Sequence, residues 1–225
     1  MPNIIVVAPH ADDEILGCGG VIAKHVNDGN NVYVIIATNG NNGAPELFSM
    51  DQVEATKKEA VLSHKLLGIK ETIFLDFPAP ALNSYPQYKI ALAFKSVFDK
   101  YKPKTIYIPH PGDLHLDHAA VYRASLVAAR PIGDYSIDLI LCYETLSETE
   151  WTPGSDRSFV PNYFVDISEY IDLKLLAMQQ YKSQLRDYPS SRSLKALEAL
   201  SMLRGSTIEH DNAEAFFVER QIIRS

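Results

Sequence analysis

Short runs of β-branched and aromatic residues alternate along this chain with longer stretches of helical periodicity. Ile4–Ala8, Asn31–Ala37, Thr72–Asp76, Thr105–Pro109 and Asp138–Tyr143 read as buried strands. Between them, Cys18–Asn27, Met50–Leu67, Gln87–Tyr101 and Leu116–Ala129 read as helices, and Gly68 and Pro103 follow two of these as stop signals. Such βαβα alternation predicts an α/β fold, a Rossmann-like three-layer sandwich around a mostly parallel central sheet. After Glu144 the pattern changes. Leu146–Pro161 is polar and loop-like; Tyr163–Ile167 is a sixth strand candidate. Helical patterns near Ser168–Gln184 and Ser193–Arg204 precede a last alternating run, Ala215–Ile223. No repeat or linker divides the sequence, so a single domain over residues 1–225 is expected.

Composition narrows the partners. The formal net charge of −7 argues against nucleic-acid or anionic-membrane binding, because both surfaces reward clustered Lys and Arg. No apolar stretch approaches the roughly 20 residues that a membrane span needs. The apolar run near the start is only Ile4–Ala8, too short for a signal segment, and a cytoplasmic location is expected. Cys18 and Cys142 stand far apart, in no metal-ligand spacing, and read as reduced, partly buried thiols.

Two clusters carry candidate chemistry. The first strand runs into His10-Ala11-Asp12-Asp13-Glu14, one imidazole and three carboxylates in five positions. Adjacent buried carboxylates repel and lose hydration, a penalty that a divalent cation relieves. The plainer alternative is an acidic turn capping the next helix. Gly17, Gly19 and Gly20 follow too late for a dinucleotide loop, and the second strand lacks the terminal acid that grips a ribose. The glycines suit close packing of a helix on the sheet instead. The fourth strand runs into His110, Asp113, His115, Asp117 and His118, a ligand set that suits zinc. In the common doubly wound order, strands one and four are neighbours, and both clusters would line the crevice between them.

The segments IVVAPHADDEILGCGG and PHPGDLHLDHAAV resemble the PIG-L/LmbE-like zinc-dependent deacetylases, which include N-acetylglucosaminyl deacetylases. The likeness continues through YETLSETEW, FVDIS, the YKSQ after Met178 and the RS…RG…AEAF pattern from Arg192 to Phe216. By position, the resemblance implies one zinc ion per chain on His10, Asp13 and His118. It makes Asp12 the general base, and His115 the group that stabilises charge or donates a proton, held cationic by Asp117. Glu14 has a supporting place. Arg192, Trp151 and Asp113 are the expected substrate contacts, and the loops Asn39–Phe48 and Phe77–Tyr85 the expected pocket walls. The implied reaction is hydrolysis of the N-acetyl group of an N-acetylglucosamine-type sugar or its conjugate, by a homo-oligomer that takes a small molecule and forms no stable membrane association. Two departures stand out: Ala11 replaces the motif's proline, and Thr56 an arginine common in the family. Other readings of the same metal cluster are a phosphoesterase-like hydrolase, which would carry two metals, and a non-catalytic metal-binding module.

Overall fold

The structure, a computed structural model, describes residues 1–133, 135–152, 154 and 158–223. The five early strand candidates all form: β1 Asn3–Ala8, β2 Asn31–Asn39, β3 Glu71–Pro78, β4 Thr105–Pro109 and β5 Leu139–Tyr143. With β6 Tyr163–Asp166 and β7 Ala213–Gln221 they make one sheet in the order β3-β2-β1-β4-β5-β7-β6. The first five strands pair in parallel, whereas β7 runs antiparallel to both β5 and β6.

Helices cover both faces, which is why the central strands are apolar at nearly every position rather than alternating. Ile4, Val6 and Ala8 of β1 face the layer formed by α1 (Asp13–Asn27), α3 (Met50–Leu67), α6 (Ile171–Met178) and α7 (Leu194–Ser206). Ile5 and Val7 face α4 (Gln87–Tyr101) and α5 (Leu116–Ala128). A short helix, α2 (Gly40–Gly43), sits in the loop after β2. Among the described residues no helix is long and apolar enough to cross a membrane. Both cysteines are free and buried.

Two boundaries differ from the sequence reading. Helix α1 starts at Asp13, not near Cys18, so its first turn is made of buried Asp13 and Glu14. The three glycines therefore lie inside the helix. A Cβ on Gly17 would stand 2.3 Å from Tyr143 Cδ2, and one on Gly20 would stand 2.6 Å from Ile167 Cδ1. Close approach of α1 to β5 and to the β6–α6 connection requires glycine there. Helix α6 is shorter than the Ser168–Gln184 pattern. The chain turns after Met178, with the Tyr181 N–H donating to the Met178 carbonyl at 3.0 Å.

Candidate metal centre

After β1 the chain goes to β2 on one side, while β4 lies on the other, so the carboxyl ends of β1 and β4 border the switch-point crevice. Both clusters sit there. The turn Pro9–Asp12 joins β1 directly to α1. His10 N–H donates to Asp13 Oδ2 at 2.9 Å, and Asp12 N–H donates to Glu14 Oε2 at 3.1 Å. Asp12 holds φ at 118°, a left-handed conformation rare outside glycine. On the β4 side, His115 caps α5, with its Nδ1 accepting the Asp117 N–H at 3.1 Å.

His10, Asp13 and His118 come together. Asp13 Oδ2 is 3.3 Å from His10 Nδ1 and 3.3 Å from His118 Nε2. One potential ligand atom from each of the three lies within 4.8 Å of the others. Asp13 and His118 are fully buried, yet Asp13 Oδ1 and His118 Nε2 have no hydrogen-bond partner. Buried polar atoms are otherwise almost always paired. Two imidazoles and a carboxylate with orphaned atoms fit a divalent ion and leave room for a further ligand. His10, Asp117 and His115 also cluster within that distance. There, however, Asp117 Oδ1 accepts the Leu82 N–H at 3.0 Å, Oδ2 lies 3.1 Å from His10 Nε2, and His115 Nδ1 is occupied. Those atoms are satisfied, so the first set is the better metal site.

The charges within the cluster compensate one another. Burial opposes an ionised Asp13, but His118 and His10 outweigh it and hold Asp13 well below the usual carboxylate range. Burial opposes a charged His118, yet Asp13 and Asp113 lift it to about 10; in the same way Asp117 and Asp13 lift His10 to about 9. Burial pushes Asp12 up to about 7, with Arg192 pulling the other way.

The contacts change three expected roles. Asp113 does not face substrate: Oδ2 bonds His118 Nδ1 at 2.8 Å and Oδ1 accepts the Thr149 hydroxyl at 2.7 Å. It orients His118, as carboxylates commonly do behind metal-ligating imidazoles. Asp117 does not pair closely with His115. Its carboxylate is 3.9 Å from His115 and turned to His10, and burial together with His10 pushes His115 down to about 4. Trp151 is 59% exposed on a 3-10 turn, Thr149–Trp151, and does not line the cavity beside the cluster.

Arg192 does reach the site. Its Nη1 donates to Asp12 Oδ2 at 3.2 Å and its Nε to Ser147 Oγ at 2.6 Å. Arg204 instead forms a two-point pair with Glu144, at 2.8 and 2.6 Å, beside Phe159. Sequence reasoning missed how Glu14 is held: its fully buried carboxylate meets His64 Nε2 at 3.0 Å and accepts the Tyr181 hydroxyl. No spacing signal points to His64, 50 positions away. A cavity of about 470 Å³ opens onto His10, Asp12, His115 and Arg192. Asn39, Gly40 and Phe48 from one loop and Ala79 and Pro80 from another line it, as the wall assignment expected.

Fold and cluster together define an α/β protein with a candidate metal centre at the switch point of its sheet. The chain belongs to the PIG-L family (GlcNAc-PI de-N-acetylase), whose pattern it matches over residues 5–129. It is 31% identical over 187 residues to the uncharacterized deacetylase YaiS of Escherichia coli K12, covering 80% of this chain and 91% of that protein. It is 26% identical to a diacetylchitobiose deacetylase of Thermococcus kodakarensis, over 94% of this chain and 81% of that one. The crystal structure of a conserved protein from Thermus thermophilus, TT1542, superposes with a TM-score of 0.78 at 26% identity, covering 100% of this chain and 98% of that one.

Proposed function

We propose that this protein is a zinc-dependent N-deacetylase that hydrolyses the acetamide of an N-acetylated amino sugar to acetate and a free amine. The observation that carries the reading is the pair of orphaned buried ligand atoms, Asp13 Oδ1 and His118 Nε2, beside the buried carboxylate of Asp12 at the mouth of a cavity. His10, Asp13 and His118 would hold the ion. When bound, a zinc ion acts as a Lewis acid that acidifies water and polarises an amide carbonyl.

The remaining steps belong to side chains. Asp12 Oδ2 accepts a proton from water as the water oxygen adds to the acetyl carbon. Arg192, 3.2 Å from that carboxylate, fixes its direction and favours its ionised form against the effect of burial. Because His115 Nδ1 accepts the Asp117 N–H, the ring proton of the neutral imidazole resides on Nε2. His115 therefore serves the developing oxyanion as a hydrogen-bond donor and not as a cation. As the C–N bond breaks, Asp12 returns its proton to the leaving nitrogen, and the acetyl carbon leaves as acetate.

The test is metal content together with acetate release from N-acetylated sugars, with and without a chelator. About one zinc per chain and chelator-sensitive release are expected; a preparation that releases no acetate at full metal occupancy would sink the reading. Asp12→Asn should keep its zinc and lose about two or more decades of rate, the usual size of a general-base effect. His118→Ala should lose the metal, and a full zinc complement in that variant would remove His118 from the ligand set.

A further inference from the structure

Asp13 and His118 come from helices on opposite faces of the sheet, α1 in the layer of α3, α6 and α7, and α5 in the layer of α4. The separation of the two side chains is therefore set by how each helix is seated on the sheet. Helix α1 is seated by a buried ion pair between Lys174 on α6 and Glu214 on β7, Nζ to Oε1 at 2.6 Å. Lys174 Nζ also donates to the Leu16 carbonyl at 2.9 Å. Glu214 Oε1 accepts the Gly20 N–H at 2.8 Å, and Oε2 accepts the Val21 N–H at 2.7 Å.

In a regular helix the Gly20 N–H faces the Leu16 carbonyl, four residues earlier. The ion pair grips both members of that rung. Gly19 gives it room, since a Cβ there would stand 2.9 Å from Lys174 Cγ. From Leu16 the grip reaches the start of the helix in one turn, because the Leu16 N–H donates to the Asp12 carbonyl at 2.9 Å.

Burying two charges is costly, and apolar side chains of similar volume would pack α6 and β7 on α1 as well or better. What apolar side chains lack is direction. A charged donor and two charged acceptor oxygens on three backbone groups hold α1 against sliding along its axis and turning about it. Both residues lie outside the stretch 5–129 over which the family pattern matches.

We propose that Lys174 and Glu214 are positioning residues of the metal centre: their ion pair sets the axial position of α1, and with it the place of Asp13 opposite His118. The proposal rests on the reading of His10, Asp13 and His118 as the ligands of a deacetylase. The test compares the unsubstituted protein with Glu214→Gln, Lys174→Met, the two combined, and Leu197→Ala, which thins the same core layer but deletes no polar side chain. Each is read for zinc affinity by chelator competition, for the visible absorption spectrum of its cobalt(II) form, for its urea midpoint and for acetate release from N-acetylated sugars. Zinc affinity should weaken about tenfold or more in all three pair variants, and the cobalt bands should shift. The turnover number should fall by about tenfold with KM held within about twofold. The combined variant leaves no unpaired buried charge, so its midpoint should return toward that of the unsubstituted protein while its affinity and spectrum do not. Leu197→Ala should lower the midpoint and keep both. An unshifted spectrum with unweakened affinity in Glu214→Gln overturns the proposal, as does an affinity loss that follows the midpoint through Leu197→Ala as well. Glu214→Gln preserves the side-chain shape and decides the question by itself if Lys174→Met does not fold. A shifted cobalt spectrum in Glu214→Gln, with no acetate released by the unsubstituted protein, would keep the positioning role and remove the deacetylase reading. Acetate release with an unshifted spectrum would do the reverse, and uptake of neither ion by the unsubstituted protein overturns both.

Discussion

Tyr181→Phe is the cleanest probe of the buried network behind the turn that joins β1 to α1. Glu14 lies in the first turn of α1, where a helix favours a carboxylate, but with no access to solvent. Its charge is compensated by three donors: the Asp12 N–H at 3.1 Å, His64 at 3.0 Å and the Tyr181 hydroxyl. Burial and the Glu14 charge hold the Tyr181 phenol well above its ordinary pKa, so it is a permanent donor. Phenylalanine keeps the ring in its packed place and deletes one charge-assisted bond. Such a bond contributes about 1.5–3 kcal/mol when the abandoned partner stays buried. At about 2–4 °C per kcal/mol for a chain of this size, the melting temperature should fall by roughly 3–12 °C. Urea denaturation of the zinc-loaded protein should show the matching drop in midpoint at unchanged slope. His64 and the Asp12 amide remain in place, so the loss should appear in stability far more than in turnover. An unchanged midpoint would mean that Glu14 is reached by water or carries no charge, and the argument for a compensated buried carboxylate would fail.

Two further outcomes follow from contacts near the centre. Asp113→Ala removes the 2.8 Å bond that fixes the His118 ring, and zinc affinity in a chelator competition should weaken by about 10–100-fold; unaltered affinity would show that His118 is oriented by packing alone. Gly17→Ala places a methyl 2.3 Å from Tyr143 Cδ2, and the denaturation midpoint should report a loss of about 1–3 kcal/mol. An undisturbed midpoint there would mean that α1 can shift off β5 at no cost.

What the sequence disclosed and what it hid divide along a physical line. Strands β1, β2, β4 and β5 were legible because strands buried on both faces are continuous apolar runs. The meeting of the two clusters was legible because the topology brings the ends of β1 and β4 together, whereas the choice of His10, Asp13 and His118 within them came from the family resemblance. The start of α1 was not. A helix boundary is read from where apolar periodicity begins, and the first turn of α1 consists of carboxylates that are buried for chemical reasons. The division of labour between Asp113 and Asp117 was equally hidden. Both lie within five positions of His118, and contacts from distant segments, Thr149 to Asp113 and the Leu82 N–H to Asp117, accompany the arrangement in which Asp113 meets His118 while Asp117 turns to His10. Trp151 shows the opposite error: aromaticity near a site in sequence says nothing about which way a short 3-10 turn presents the ring.

The replacement of proline by Ala11 bears on the same buried network. Proline would stiffen the turn by fixing its own φ. With alanine in its place, the turn still has to hold Asp12 at φ 118°, a conformation that costs a non-glycine residue about 1–3 kcal/mol. Glycine at position 12 would relieve the strain but would remove the carboxylate next to Asp13. The strain is offset instead by side chains gripping the backbone on either side: Asp13 accepts the His10 N–H and Glu14 accepts the Asp12 N–H. Both gripping groups are buried carboxylates whose own charges are compensated, Asp13 by His10 and His118 and Glu14 by His64 and Tyr181. The rigidity of the turn is therefore distributed over α1, α3, α5 and the segment after α6. A loop that tolerates the loss of its proline does so because the same carboxylates that make the motif acidic also act as its backbone fasteners.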